Sequence, residues 1–129
     1  PSPPRRGMTL VEVLVALTIL AGAAIALSSF VGQFSRTVGD ADARARAAEL
    51  AEERLEVVKG AASYASIDTL YAEPAPVAIA GERNYRRQTL IRHVGGGPAD
   101  IDDYRIVTVV ITAARLRDPV RRTTILSDF

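Results

Sequence analysis

Cysteine is absent from the 129 residues. That excludes a disulfide framework and any cysteine-based zinc site. Histidine occurs once, as His93. A lone histidine beside arginines at the end of a strand-like segment reads as a surface residue, not a metal ligand or general base. No nucleophile-elbow spacing accompanies the serines and aspartates. The run Gly95-Gly96-Gly97-Pro98 lacks the following Lys-Ser or Lys-Thr of a phosphate-binding loop. Nothing here points to an enzyme. Proline is missing between Pro4 and Pro74, so nothing forces a break in a helix there. Charge is missing as well: Glu12 is the one ionisable side chain between Gly7 and Arg36, and residues 13–32 carry none. About 20 residues, at about 1.5 Å rise each, cross the hydrocarbon core of a bilayer. Length and polarity alone therefore predict a membrane-spanning helix.

Glu12 does not suit a plain anchor. A carboxylate at the centre of a spanning helix costs about 2.5–3.5 kcal/mol on insertion scales and usually has a partner. Near the end of the span it could instead reach the headgroups. Its neighbours favour the first reading. Arg5-Arg6-Gly7-Met8-Thr9-Leu10-Val11-Glu12, followed by Val13-Leu14-Val15-Ala16-Leu17, resembles the N-terminal signal of type IV prepilins and type II secretion pseudopilins. Four features coincide: basic leader residues Arg5 and Arg6, a glycine at the cut, a glutamate five residues on, and an uninterrupted apolar run. The resemblance implies that a prepilin peptidase cuts between Gly7 and Met8 and methylates the Met8 amine. It also implies that Glu12 pairs with the Met8 ammonium of a neighbouring subunit and sets the register of a growing filament. Many major pilins have a proline in the second half of the spanning helix, where this chain has Ser29, and a C-terminal disulfide, which it cannot form. Those departures favour a minor subunit.

The chain has 16 basic and 15 acidic residues. Without Arg5 and Arg6 the side-chain balance becomes −1, so net charge does not mark a polyanion binder. A secretory signal would need a small-residue cleavage site after the apolar core. Ala21-Gly22-Ala23 and Ala24-Ile25-Ala26 qualify, but the apolar run continues past both. Arg5 and Arg6 favour a cytoplasmic N-terminus.

Beyond the span, Val38, Ala41, Ala45, Ala48, Ala51, Leu55 and Val58 recur at helical spacing. Asp40 with Arg44, and Asp42 with Arg46, stand four apart in the favourable order. Gly60 is a stop signal. The segment around Ala48-Glu49-Leu50-Ala51-Glu52-Glu53-Arg54-Leu55-Glu56 resembles the corresponding part of minor pilins. Residues 63–72 suggest a short helix or turn, broken by Glu73-Pro74-Ala75-Pro76. Residues 85–94 read as an edge or strongly solvated strand because of their arginines. Residues 104–114 form the clearest strand, and residues 120–126 return after an Arg117-Asp118-Pro119 turn.

The expected fold is α+β and pilin-like: a long N-terminal helix, half transmembrane and half amphipathic, packed on a small antiparallel sheet. The expected parts are a leader at 1–7, an assembly helix at 8–34, its amphipathic continuation at 35–60, and a head at 61–129 with about three strands. So small a head buries little on its own and should use the helix stripe as its core partner. Asp100, Asp102 and Asp103 could ligate calcium, since some pseudopilins bind calcium in a head loop, but the run is short and lacks the spacing of a known loop, so an acidic, solvated turn is the favoured reading. Arg83, Arg86, Arg87 and Arg92, with Arg115, Arg117, Arg121 and Arg122, would make a basic patch if they faced one way. Interspersed acids and the lack of aromatics argue against nucleic acid as a partner.

The sequence thus reads as a minor-pilin-like structural subunit of a type IV pilus or related filament. The resemblance implies as partners the prepilin peptidase, other pilins or pseudopilins, the inner-membrane assembly platform and the membrane. The precursor would cross the inner membrane once, with its head in the periplasm, before entering the filament. A type II secretion minor pseudopilin is the alternative within this class. A single-pass membrane-anchored binding module is the alternative outside it.

Overall fold

The computed structural model describes residues 7–96 and 103–127. Helix α1, Leu10–Lys59, is continuous. A 3-10 turn, Tyr64–Ser66, leads into the short helix α2, Ile67–Tyr71. Four strands follow: β1, Val77–Ile79; β2, Glu82–Val94; β3, Tyr104–Ala113; and β4, Val120–Ser127. They form one antiparallel sheet in the order β1-β2-β3-β4. The arrangement is α+β and pilin-like, as the sequence predicts.

The chain divides into two compact units, Pro1–Gly39 and Asp40–Phe129. In the first, residues 7–38 are exposed without exception, and α1 is long and apolar enough to cross a membrane. Most hydroxyl groups on this surface bond to carbonyls of the same helix. Thr18 Oγ1 donates to the Val15 carbonyl at 2.8 Å, Ser28 Oγ to Ala24 at 2.9 Å and Ser29 Oγ to Ile25 at 3.1 Å. A helix facing lipid requires this internal accounting, because hydrocarbon offers no partners. Phe30 and Phe34, one turn apart, stack with ring centroids 6.3 Å from each other.

In the second unit, one face of α1 lies on the sheet. Ala47, Leu50, Ala51, Leu55 and Val58 meet Val107, Val109 and Ile111 of β3, closed at one end by Ile67. Alanine at two of the helix positions lets the backbone approach the sheet closely. The β3 strand is central: Arg105, Val107, Val109 and Ile111 share its inner face and are buried, and Val110 on the other face is buried as well.

Four local expectations change. The buried stripe begins at Ala43 and Ala47 instead of Ala41 and Ala45, which are exposed. Alanines occupy both faces of this stretch, so their spacing alone cannot phase it. Arg46 bonds to Glu49 and Glu82 instead of Asp42, because the start of β2 brings Glu82 within reach, with Arg46 Nε donating to it at 2.9 Å. Strand β2 is paired along its length with β3 and locally with β1, so it is not a simple edge. The extra strand, β1, is three residues long and joined to β2 through Gly81, whose φ of +82° suits glycine.

The core seam makes a direct prediction. Ala51 is fully buried, so Ala51→Leu should lower head stability by about 1–3 kcal/mol through overpacking. Ala45→Leu, on the exposed face, should change it by less than about 0.5 kcal/mol. Urea denaturation of the full chain in detergent, followed by tyrosine fluorescence, measures both.

Candidate functional site

The helix start is built by Thr9 and Glu12. The Glu12 backbone N–H donates to Thr9 Oγ1 at 3.3 Å, and the Val13 N–H donates to the Thr9 carbonyl at 3.2 Å. Thr9 is thus the N-cap and Glu12 the third helical residue, the Thr-x-x-Glu spacing of a capping box. Sequence reading singled out Glu12 for its charge and missed Thr9, although that spacing is a recognisable signal. The Glu12 carboxylate sits in the first helical turn, where the helix dipole favours negative charge. Among the described residues it has no hydrogen-bond or ion-pair partner.

The peptide between Gly7 and Met8 precedes the cap and lies outside the helix, with both residues exposed. Non-helical, exposed backbone is what a peptidase can take into an extended binding groove. A Cβ built on Gly7 meets nothing within 4 Å, so packing does not demand glycine there. Arg5 and Arg6 lie outside the described residues.

Residues 3–28 match the family model described as the prokaryotic N-terminal methylation motif. The chain carries the type IV prepilin signature. The match covers the cap, Glu12 and most of the apolar run. No curated protein and no solved structure matches the chain. The signature marks a structural, pilin-type protein and a prepilin peptidase substrate rather than a known enzyme family, and together with the apolar helix it fits a membrane-anchored precursor.

The head contributes two side-chain clusters beyond the signature. In the first, the Glu73 carboxylate receives Arg87 Nε at 3.1 Å, Thr89 Oγ1 at 2.8 Å and Arg54 Nη2 at 3.2 Å. Arg54 also reaches the Tyr71 carbonyl at 3.2 Å and stands over the Tyr71 ring. The Glu73 side chain is only 12 % exposed. Burial pushes its carboxyl up, but the Arg87 and Thr89 hydrogen bonds and the Arg87 and Arg54 charges outweigh burial and hold it below the usual 4.5. Burial, aided by the nearby Arg87 charge, pulls Arg54 down. Sequence reading saw Glu73 only as part of a Pro-rich break.

The second cluster involves Asp103, one of the three aspartates considered for calcium. Asp103 is buried, and its carboxylate is engaged by His93 Nε2. It therefore belongs to the head interior, not to a solvated loop. Asp100 and Asp102 lie outside the described residues. Among the described residues, no group of three or more His, Asp or Glu side chains is placed to hold a metal ion. Beside Asp103, Arg105 donates to Asp68 at 2.9 Å and packs over the Tyr64 ring at 4.0 Å.

The eight arginines do not act as one patch. Arg87 is neutralised by Glu73, and Arg122 lies 3.3 Å from Glu52. Arg83, Arg86, Arg92, Arg115, Arg117 and Arg121 are exposed and form no ion pair among the described residues.

The Glu73 node sets a pH dependence. Its pKa is depressed in the folded head, so its stabilisation is present above the ordinary value of 4.5 and is lost as pH falls through the lowered folded value. Glu73→Gln should cost on the order of 3 kcal/mol near neutrality by leaving two guanidiniums face to face. It should also flatten the acid-side loss. Urea midpoints collected from neutral to acidic pH on both proteins read the two effects.

Proposed function

We propose that this chain is a minor-pilin-like structural subunit of a type IV pilus or related filament, assembled through α1. The observation that carries this reading is Glu12: one carboxylate on an otherwise uncharged, fully exposed helix surface, with no partner of its own among the described residues. The precursor sits in the inner membrane with its N-terminus in the cytoplasm and its head in the periplasm. The prepilin peptidase cuts between Gly7 and Met8 and methylates Met8. The new ammonium at Met8 then offers Glu12 of a neighbouring subunit its counter-ion.

Opposite charges a few ångströms apart attract strongly in a low-dielectric setting. A carboxylate carried into a helix bundle without that partner is penalised by several kcal/mol. Correct stagger is thereby distinguished from every stagger that strands Glu12. The rest of the exposed apolar surface supplies non-directional adhesion to neighbouring helices and to the inner-membrane assembly platform. The same features serve a type II secretion minor pseudopilin, which differs in the machine joined and not in this chemistry.

Glu12→Ala and Glu12→Gln should each reduce recovery of the subunit in sheared filaments roughly tenfold or more. Membrane insertion and head folding should be unaffected. Incorporation at the wild-type level would contradict the pairing.

A further inference from the structure

Most of the head's unpaired positive charge lies at one end, with Arg92 the exception farther along β2. Strand pairing puts Tyr85 opposite Ala113 and Arg86 opposite Thr112, so the start of β2 and the β3–β4 turn share that end of the sheet. The same end receives α1. Arg46 Nε donates to Glu82 at 2.9 Å, and the Tyr85 hydroxyl donates to the Ala43 carbonyl at 3.4 Å. Arg83, Arg86, Arg115 and Arg117 are all exposed here and without ion-pair partners among the described residues. Exposed Arg44 on α1 adds to them. The acids at this end are Asp40 and Asp42 on α1, Asp118 in the turn, and Glu49 and Glu82, which share Arg46. Arg83, Asn84, Arg86 and Thr112 line a shallow concavity with Ala113 and Ala114. It is rich in donors and has no carboxylate in its lining. At the opposite end of the head, Arg105 is paired with Asp68, and His93 with Asp103.

Chain connectivity limits where this end can be. The uncharged run of the spanning segment reaches Phe34, and the head begins at Asp40. Helical rise over those six steps is about 9 Å. Even fully extended backbone would reach only about 20 Å. The headgroup layer itself is about 5–7 Å deep on each side of the hydrocarbon core, and the Debye length is about 8–10 Å at physiological salt. A connection this short keeps the start of the head within about 20 Å of the end of the uncharged run. Guanidinium groups are matched to phosphodiester oxygens in geometry as well as charge.

We propose that Arg83, Arg86, Arg115 and Arg117 bind anionic phospholipid headgroups of the membrane in which the chain is anchored. The contact holds the head against the bilayer while the subunit waits for assembly, and it is released when the subunit is extracted. The inference rests on the membrane-anchored reading but not on the filament or on the direction of insertion. Clusters of Lys and Arg beside a spanning helix are recognised acidic-lipid sites on the cytoplasmic leaflet, and the same attraction acts on either leaflet that carries anionic headgroups. No aromatic side chain accompanies the arginines at the concavity, which disfavours stacking of nucleic-acid bases.

The absence of cysteine makes a clean test available. Asn84→Cys at the basic end and Ser63→Cys at the far end are each labelled with a fluorophore. Each full-length protein is placed, one copy per disc, in lipid nanodiscs containing a headgroup-attached quencher. Quenching at position 84 should be several-fold stronger with anionic than with zwitterionic lipid and should fall as salt is raised. Position 63 should not respond. The combined Arg83→Gln, Arg86→Gln, Arg115→Gln and Arg117→Gln variant should lose the lipid dependence, whereas Arg92→Gln, farther along β2, should keep it. Equal quenching in both lipids, or no effect of the fourfold variant, would overturn the proposal. So would binding of duplex DNA to the same arginines without dependence on lipid charge. Failure of the chain to enter discs of either composition would overturn the anchored reading and this inference together, an outcome that recovery of protein in the disc fraction separates from the others.

Discussion

One helix has to satisfy two solvents. Over residues 7–38 it exposes apolar side chains on every side, and over its last turns it buries a single narrow face against a sheet. The first requirement demands uniform hydrophobicity and internal bonding of most hydroxyls. The second demands small residues on one face and charge on the other. A helix without proline can meet both, and the boundary between the two regimes lies where Arg36, Asp40 and Asp42 first appear. The arrangement leaves the head dependent on α1: without Leu50, Ala51, Leu55 and Val58, the inner face of β3 would lie open to water. The head is therefore built around the element that also carries the prepilin-type signature.

Charge is allotted by place. Inside the head, Glu73 reconciles Arg54 and Arg87, which would otherwise repel each other in a half-buried setting. At the far end, Asp68 pairs with Arg105 and His93 contacts Asp103, while Arg92 stays exposed. At the end where α1 enters, most arginines are left unmatched. At the N-terminus, Glu12 is left unmatched in the opposite sense. Charges satisfied within the chain hold the fold.

Much of this was legible in the residues. The span, the prepilin-type motif, the strand at residues 104–114 and the final hairpin follow from local pattern, because each depends on a run of one character or on a turn residue. The missed features depend on tertiary placement or on length. The three residues of β1 are too few to show a period. The alanines between Ala41 and Ala51 populate several helix faces, so burial of Ala43 and Ala47 required the sheet to choose. Alternation along β2 groups Arg87 with Thr89 on the inner face, but only the fold brings Glu73 to them. Thr9 was the avoidable omission, since its spacing to Glu12 is a local signal. Asp103 was misplaced in a solvated turn because the sequence gives no sign of its contact with His93.

The central claim is that the exposed, non-helical junction before Thr9 is a processing site and that everything after it is the mature subunit. The most direct measurement is the mass of the N-terminal peptide after co-expression with a prepilin peptidase, alongside a Gly7→Val variant that the structure tolerates without a clash. The account predicts a peptide beginning at methylated Met8 in the wild type and an uncut chain in the variant. An uncut wild-type chain, or cleavage after the apolar run, would contradict it.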